Sequence, residues 1–136
     1  MSRNAPPTLL QDTLSGVHFV EAAMLPRILA PAAGRGLHVA RVDLGGCTGK
    51  QDLLTRIALA LHFPESFGHN WDALADSLGD LSWLPGQGVV LVLERAAGLM
   101  DSGGDIFPIL LEILGGVAAD AAAQGWRWHA VIAIGA

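Results

Sequence analysis

Apolar and polar positions along the chain follow two periods, one typical of buried strands and one typical of amphipathic helices. Three stretches are rich in apolar residues, half-alternating in the first and nearly continuous in the other two, and are bounded by glycine, polar or charged residues, as in buried strands. They span residues 37–44, 89–93 and 128–134. Weaker alternation over residues 16–21 predicts a further strand near the N-terminus.

Helical spacing of apolar residues predicts helices between and after these strands. The segments are 22–33, 50–62, 71–78, 105–114 and 117–124. For the third segment, Asn70 is a suitable N-cap and Gly79 a suitable residue just past the end. Gly115 and Gly116 separate the last two helices in this interpretation.

Buried strands that alternate with helices predict an α/β fold. We expect a small parallel sheet of three strands, or four if residues 16–21 join it, flanked by helices. The 136 residues fit one domain with a single core. We expect a flexible tail at 1–15 and a single folded domain at 16–136, with the role of residues 1–36 left open.

Composition favours a soluble protein, because 51% of the residues are hydrophobic while no apolar run is long enough to span a bilayer. The start, MSRNAPPTLLQD, has no signal-peptide pattern, and the single cysteine, Cys47, excludes an internal disulfide. We therefore expect a cytoplasmic protein that does not interact with membranes.

The net charge of −5 is distributed unevenly along the chain. Residues 1–56 carry six basic residues and four acids, a net of +2, whereas residues 57–136 carry nine acids and two arginines, a net of −7. An acidic surface repels nucleic acid and attracts basic proteins. The charge pattern predicts a basic partner and no nucleic-acid partner.

Three of these acids, Asp72, Asp76 and Asp80, stand at i, i+4 and i+8 and predict one acidic stripe along the short helix. Asp72 is favourable near the helix N-terminus, but like charges at this spacing cost stability, and no lysine or arginine occurs between Ile57 and Glu94. The short side chain of Ala75 would let a partner approach closely. The stripe is suited to filling a cationic cleft, although solvated surface acids are the common alternative.

Other chemistry is poorly supported by the sequence. The string GGCTGK at 45–50 lacks the first glycine of a phosphate-binding loop and the Ser or Thr after its lysine. The five histidines show no zinc-ligand spacing. Asp72 and Asp76 could form an acid/base pair, but carboxylates one turn apart on an exposed helix ordinarily both ionise. We therefore expect no enzyme activity, metal or cofactor.

The segment FPESFGHNWDALADSL, residues 63–78, resembles the signature helix of the barstar family of ribonuclease inhibitors. The order of strands and helices from 37 to 134 also follows that family, which makes 16–36 an N-terminal extension. The resemblance implies a three-stranded parallel sheet with several helices. It also implies an inhibitor or immunity protein, monomeric when free, that occludes the basic active site of a barnase-type ribonuclease.

Carried over by position, the resemblance makes Asp76 the acid that enters the phosphate-binding pocket of the nuclease, with Asp72 one turn before it. Asp120, on the last helix, corresponds to a further acidic contact residue. The remaining candidate partner-binding residues surround these acids. They are Ser66, Gly68, His69, Asn70, Ala75 and Asp80.

The chain departs from the family pattern at several contact positions. Ser66 stands where the best-known member has an aromatic contact residue, and Ala75 and Leu81 replace tryptophans. These departures leave the identity of the nuclease open. An acidic interaction module that binds a basic partner other than a nuclease is the alternative function.

Overall fold

The computed structural model describes residues 15–81, 88–102 and 104–135, which form four strands, five α-helices and a 3-10 turn at Ala22–Met24. The strands are β1 (Ser15–Glu21), β2 (Leu37–Asp43), β3 (Gly88–Glu94) and β4 (Arg127–Ile134). The helices are α1 (Leu25–Gly34), α2 (Lys50–Leu61), α3 (Trp71–Gly79), α4 (Ala97–Ser102) and α5 (Ile106–Ala123). The predicted tail lies outside the described residues except for Ser15, which begins β1 and is not tail.

The strands form one parallel sheet in the order β1-β4-β3-β2. The central strands β3 and β4 are buried along almost their whole length because helices cover both faces of the sheet. At one edge, β1 pairs in parallel with β4, from Ser15 beside Trp128 to Glu21 beside Ile134. The predicted α/β fold is therefore confirmed, and the N-terminal segment supplies the fourth strand.

Apolar side chains form a core on each face of the sheet. The larger core is covered by α2, α3 and α5, which contribute Ile57, Leu74 and Leu114 among others. The smaller core is covered by α1 and includes Ile28 and Val131. Because α3 and α5 share a face and contact each other, the surface between them brings residues of distant sequence together.

The predicted break at Gly115 and Gly116 is wrong, because α5 runs from Ile106 to Ala123 without interruption. Leu114 and Val117, on either side of the glycines, are buried in the core. Packing of these neighbours holds the backbone helical, although glycine costs a helix about 1 kcal/mol relative to alanine.

Other boundaries also differ from the sequence prediction. The predicted helix 22–33 is a 3-10 turn followed by α1, with Pro26 in the first turn, where its missing N–H is harmless, and Pro31 inside the helix. Gly79 is the last residue of α3 rather than the residue past its end, and Asp80 is the C-cap. The short helix α4 was not predicted.

Because α5 is continuous, it is long and apolar enough to cross a membrane by length and composition alone. The expectation that no segment reaches this length is wrong for this reason. Core helices of soluble proteins meet the same criteria, and α5 buries six residues in the fold. These are Phe107, Leu110, Leu114, Val117, Ala118 and Ala121.

Candidate functional site

The helix α3 begins as the sequence predicts. The Asn70 side chain accepts a hydrogen bond of 2.7 Å from the Ala73 N–H, which satisfies a backbone donor at the first turn. Leu74 and Leu78 are fully buried and fix the helix on the core. Asp72 and Asp76 lie one turn apart and point away from the core, so both are exposed to solvent.

The loop before α3 is held in a defined conformation. His69 has a φ of 50°, in the left-handed region, and its Nδ1 lies 3.1 Å from the Phe67 carbonyl oxygen. The Gln51 side chain donates a hydrogen bond of 3.3 Å to the His69 carbonyl from the first turn of α2. A Cβ at Gly68 would lie 3.1 Å from Asn70 Nδ2, so the turn favours glycine.

A cation also braces the start of α3. Lys50 Nζ, at the first residue of α2, lies 5.6 Å from the centre of the Trp71 ring, close enough for a cation–π contact. No lysine or arginine occurs between Ile57 and Glu94 that could neutralise the acids. Packing of α2 brings Lys50 to the beginning of α3 instead, against an aromatic ring rather than a carboxylate.

A groove of about 750 Å³ lies between α3 and α5, on the surface beside their contact. Acids line it on both sides. From α3 and its C-cap come Asp72, Asp76 and Asp80, and from α5 come Glu112 and Asp120. Glu112 and Asp120 are eight residues apart, so they lie on the same face of α5. The structure thus combines the predicted acids of α3 with Asp120 and with an acid that the sequence analysis missed.

The predicted three-acid helical stripe is only partly correct. Asp80 has φ −123° and ψ 88°, which is not helical, so the stripe on α3 consists of Asp72 and Asp76. Asp80 still lines the groove beyond the end of the helix. The C-cap conformation, which depends on how the chain leaves α3, could not be deduced from spacing alone.

The described residues provide no lysine, arginine or histidine to the groove lining. Three arginines instead pair with acids outside it. The pairs are Arg41 with Glu94, Arg56 with Asp52, and Arg95 with Asp43. The hydrogen bond from Arg95 lowers the pKa of Asp43 to about 2. The described lining of the groove consequently carries acidic and no basic side chains, which favours a cationic partner.

Small and aromatic residues also form part of the groove. Ala75 on α3 and Gly116 on α5 also line it, and their small size leaves the helix backbones accessible. Trp126, just past the end of α5, lines the groove with 39% of its surface exposed, whereas Trp128 is 1% exposed. Exposed aromatic rings beside charged groups are common in protein interfaces.

The other predicted site residues belong to the loop rather than to the groove. Ser66, Gly68, His69 and Asn70 are all exposed, and they precede α3. Of the residues that the sequence analysis missed, Glu112 stands eight residues before Asp120, a spacing that could have identified it. The sequence contains no spacing or motif that would have identified Trp126, because its place in the groove depends on tertiary packing.

The glycine-rich loop at 45–50 does not present an open anion site. The Asp52 side chain accepts a hydrogen bond of 3.1 Å from the Thr48 N–H and so occupies the start of α2. Hydrogen bonding to Arg56 lowers the pKa of this carboxyl and keeps it ionised. Among the residues with described side chains, no group of histidine, cysteine or acidic residues could hold a metal ion.

Comparison with known proteins identifies one family. A family model described as Barstar (barnase inhibitor) matches residues 37–133, a span that contains every residue lining the groove but not β1. No curated protein matches the chain.

Among solved structures, a chain in a structure of Drosophila ORC bound to DNA is similar, with a TM-score of 0.53 and 14% identity. The match covers 88% of this chain and 31% of that chain, so the present chain spans about a third of its length. At this identity the likeness shows the fold alone.

Proposed function

We propose that this chain, which belongs to the Barstar family, is a protein inhibitor that blocks the active site of a basic, barnase-type ribonuclease. The observation that carries the proposal is the groove between α3 and α5. Asp72 and Asp76 project from one helix, and no cation among the described groove residues offsets them. We further propose that the protein is cytoplasmic, that it is a monomer when free, and that it protects the cell from the nuclease.

The mechanism is electrostatic imitation of the substrate. A nuclease that cleaves RNA holds phosphate with cationic side chains, and carboxylates fixed on a rigid helix can occupy the same positions. The Asn70 cap and the buried Leu74 and Leu78 fix the direction of α3 before binding. Less conformational entropy is then lost when the complex forms. The same acids repel RNA, so the inhibitor itself is not expected to bind nucleic acid.

Replacement of Asp76 by alanine tests this mechanism. Truncating one member of a buried charge pair typically costs about 2–5 kcal/mol, and more at some acids of the barnase–barstar interface, from which this generalisation is partly drawn. We therefore expect Asp76→Ala to weaken binding to a ribonuclease by between about 30-fold and several thousand-fold. Isothermal titration calorimetry against barnase and related enzymes measures this change.

Asp101→Asn is the matched control, because it removes an exposed acid of α4 that does not line the groove. It should leave affinity unchanged. Equal affinities of Asp76→Ala and the unmodified protein for a nuclease that both bind would show that α3 does not fill the active site. A basic partner that is not a nuclease, bound through the same acids, would support the alternative function of an acidic interaction module.

A further inference from the structure

Trp126 is unusual among the large apolar side chains of the described residues. Only Phe19, Leu59 and Trp126 are classed as exposed, and of these only Trp126 lines the acidic groove. The backbone N–H of Trp126 donates a hydrogen bond of 2.8 Å to the Ala121 carbonyl, which holds the Trp126 backbone against the end of α5. Asp120 lies beside Ala121 in the last turns of the same helix and lines the same groove.

The N-terminal strand fixes the backbone on both sides of this residue. The Ser15 hydroxyl donates a hydrogen bond to the Trp126 backbone carbonyl. The same hydroxyl oxygen accepts a hydrogen bond of 2.9 Å from the Trp128 backbone N–H. Ser15 belongs to β1, which lies outside the span matched by the family model. An element outside the matched span therefore holds the backbone of an aromatic residue at the candidate site.

The groove also contains a buried donor that lacks an acceptor. Trp128 lines the groove, and its indole N–H has no hydrogen-bond partner among the described residues. A buried donor without an acceptor costs folding free energy, and an acceptor supplied by a bound molecule would offset that cost. This observation is independent of the acids, and an oxygen acceptor on a bound molecule that reached the indole would satisfy this donor.

We propose that Trp126 and the acids that line the same groove, Asp120 among them, form a subsite for an arginine side chain of the protein partner. A guanidinium group can stack on an indole ring and form paired hydrogen bonds with carboxylates, whereas an ammonium group is a more strongly hydrated point charge. The backbone carbonyls of the same peptide segment are the acceptors that suit Trp128. The groove therefore selects arginine over lysine. This inference rests on the proposed function only in taking the groove as the surface that binds the partner.

Titration of the full chain with hexa-arginine and hexa-lysine peptides, followed by calorimetry at low salt, tests the selection. The two peptides carry the same charge, and any preference that the carboxylates alone give to guanidinium remains in a variant without the indole ring. A stacking contact should make the arginine peptide roughly two- to five-fold tighter. Trp126→Ala should remove this preference while leaving the affinity for hexa-lysine within about two-fold.

Two further variants keep the test decisive. Trp126→Leu retains an apolar side chain but removes the aromatic face, so it should also lose the preference if Trp126→Ala does not fold. Leu59→Ala removes an exposed apolar residue that does not line the groove and should behave as the unmodified protein. Equal affinities for the two peptides, or a preference of undiminished size without the Trp126 ring, would overturn the inference.

The inference and the proposed function can fail separately. If no barnase-type ribonuclease is bound but the arginine preference depends on Trp126, the ribonuclease proposal fails and the subsite stands. If a ribonuclease is bound and Trp126→Leu leaves both its affinity and the peptide preference unchanged, the subsite fails and the ribonuclease proposal stands.

Discussion

His18 and His129 form a contact between the edge strand β1 and the central strand β4. Nε2 of His18 lies 2.9 Å from Nδ1 of His129, whose side chain is fully buried. A Cβ at Gly16 would lie 3.1 Å from Cε1 of His18, so glycine leaves room for the ring. The sequence suggested no role for these histidines, because parallel pairing of strands more than a hundred residues apart brings them together.

This pair should make stability depend on pH. Burial lowers the pKa of His18 below its ordinary value, so the unfolded chain binds the proton more readily than the folded chain. Stability is then full above about pH 6.5 and falls as the pH drops through that value. His18→Gln retains hydrogen-bonding capacity without titrating in this range. Urea unfolding at pH 7.5 and 5.5 should therefore show a smaller loss for His18→Gln, and an identical loss would contradict this role of His18.

The helices show why local signals succeed at some boundaries and fail at others. The start of α3 was predictable, because the Asn70 cap and the spacing of Leu74 and Leu78 act within a few residues. The continuity of α5 was not, because glycine is a poor helix former on its own. Burial of apolar residues before and after the two glycines outweighs their local preference.

Gly115 offers a direct test of this explanation for α5. It is exposed, and a Cβ at this position would meet no atom within 4 Å. Gly115→Ala should consequently stabilise the protein by about 0.5–1 kcal/mol through helix propensity. Chemical denaturation measures the change, and because Gly115 does not line the groove, ribonuclease binding should stay the same. A destabilised variant would mean that the helix is interrupted here.

Across the molecule, the sequence predicted the α/β fold, the parallel sheet and the acids of α3, because each has a short-range or family signature. It did not predict that Glu112 and Trp126 complete a groove with α3. That arrangement requires α3 and α5 to pack side by side on one face of the sheet. The place of β1 beside β4 likewise follows from tertiary packing, and it brings Ser15 to the backbone of Trp126.

A titration of RNA cleavage by barnase and a set of barnase-type ribonucleases tests whether the acidic groove blocks a nuclease active site. Purified protein should reduce the activity of at least one enzyme in proportion to the amount added, with complete loss near one equivalent. With the enzyme diluted to near the Kd of the complex, Asp76→Ala should need an excess at least about 30-fold larger for the same inhibition, and Asp101→Asn should inhibit like the unmodified protein. Full activity of every enzyme in an excess of the protein would contradict the proposed inhibition.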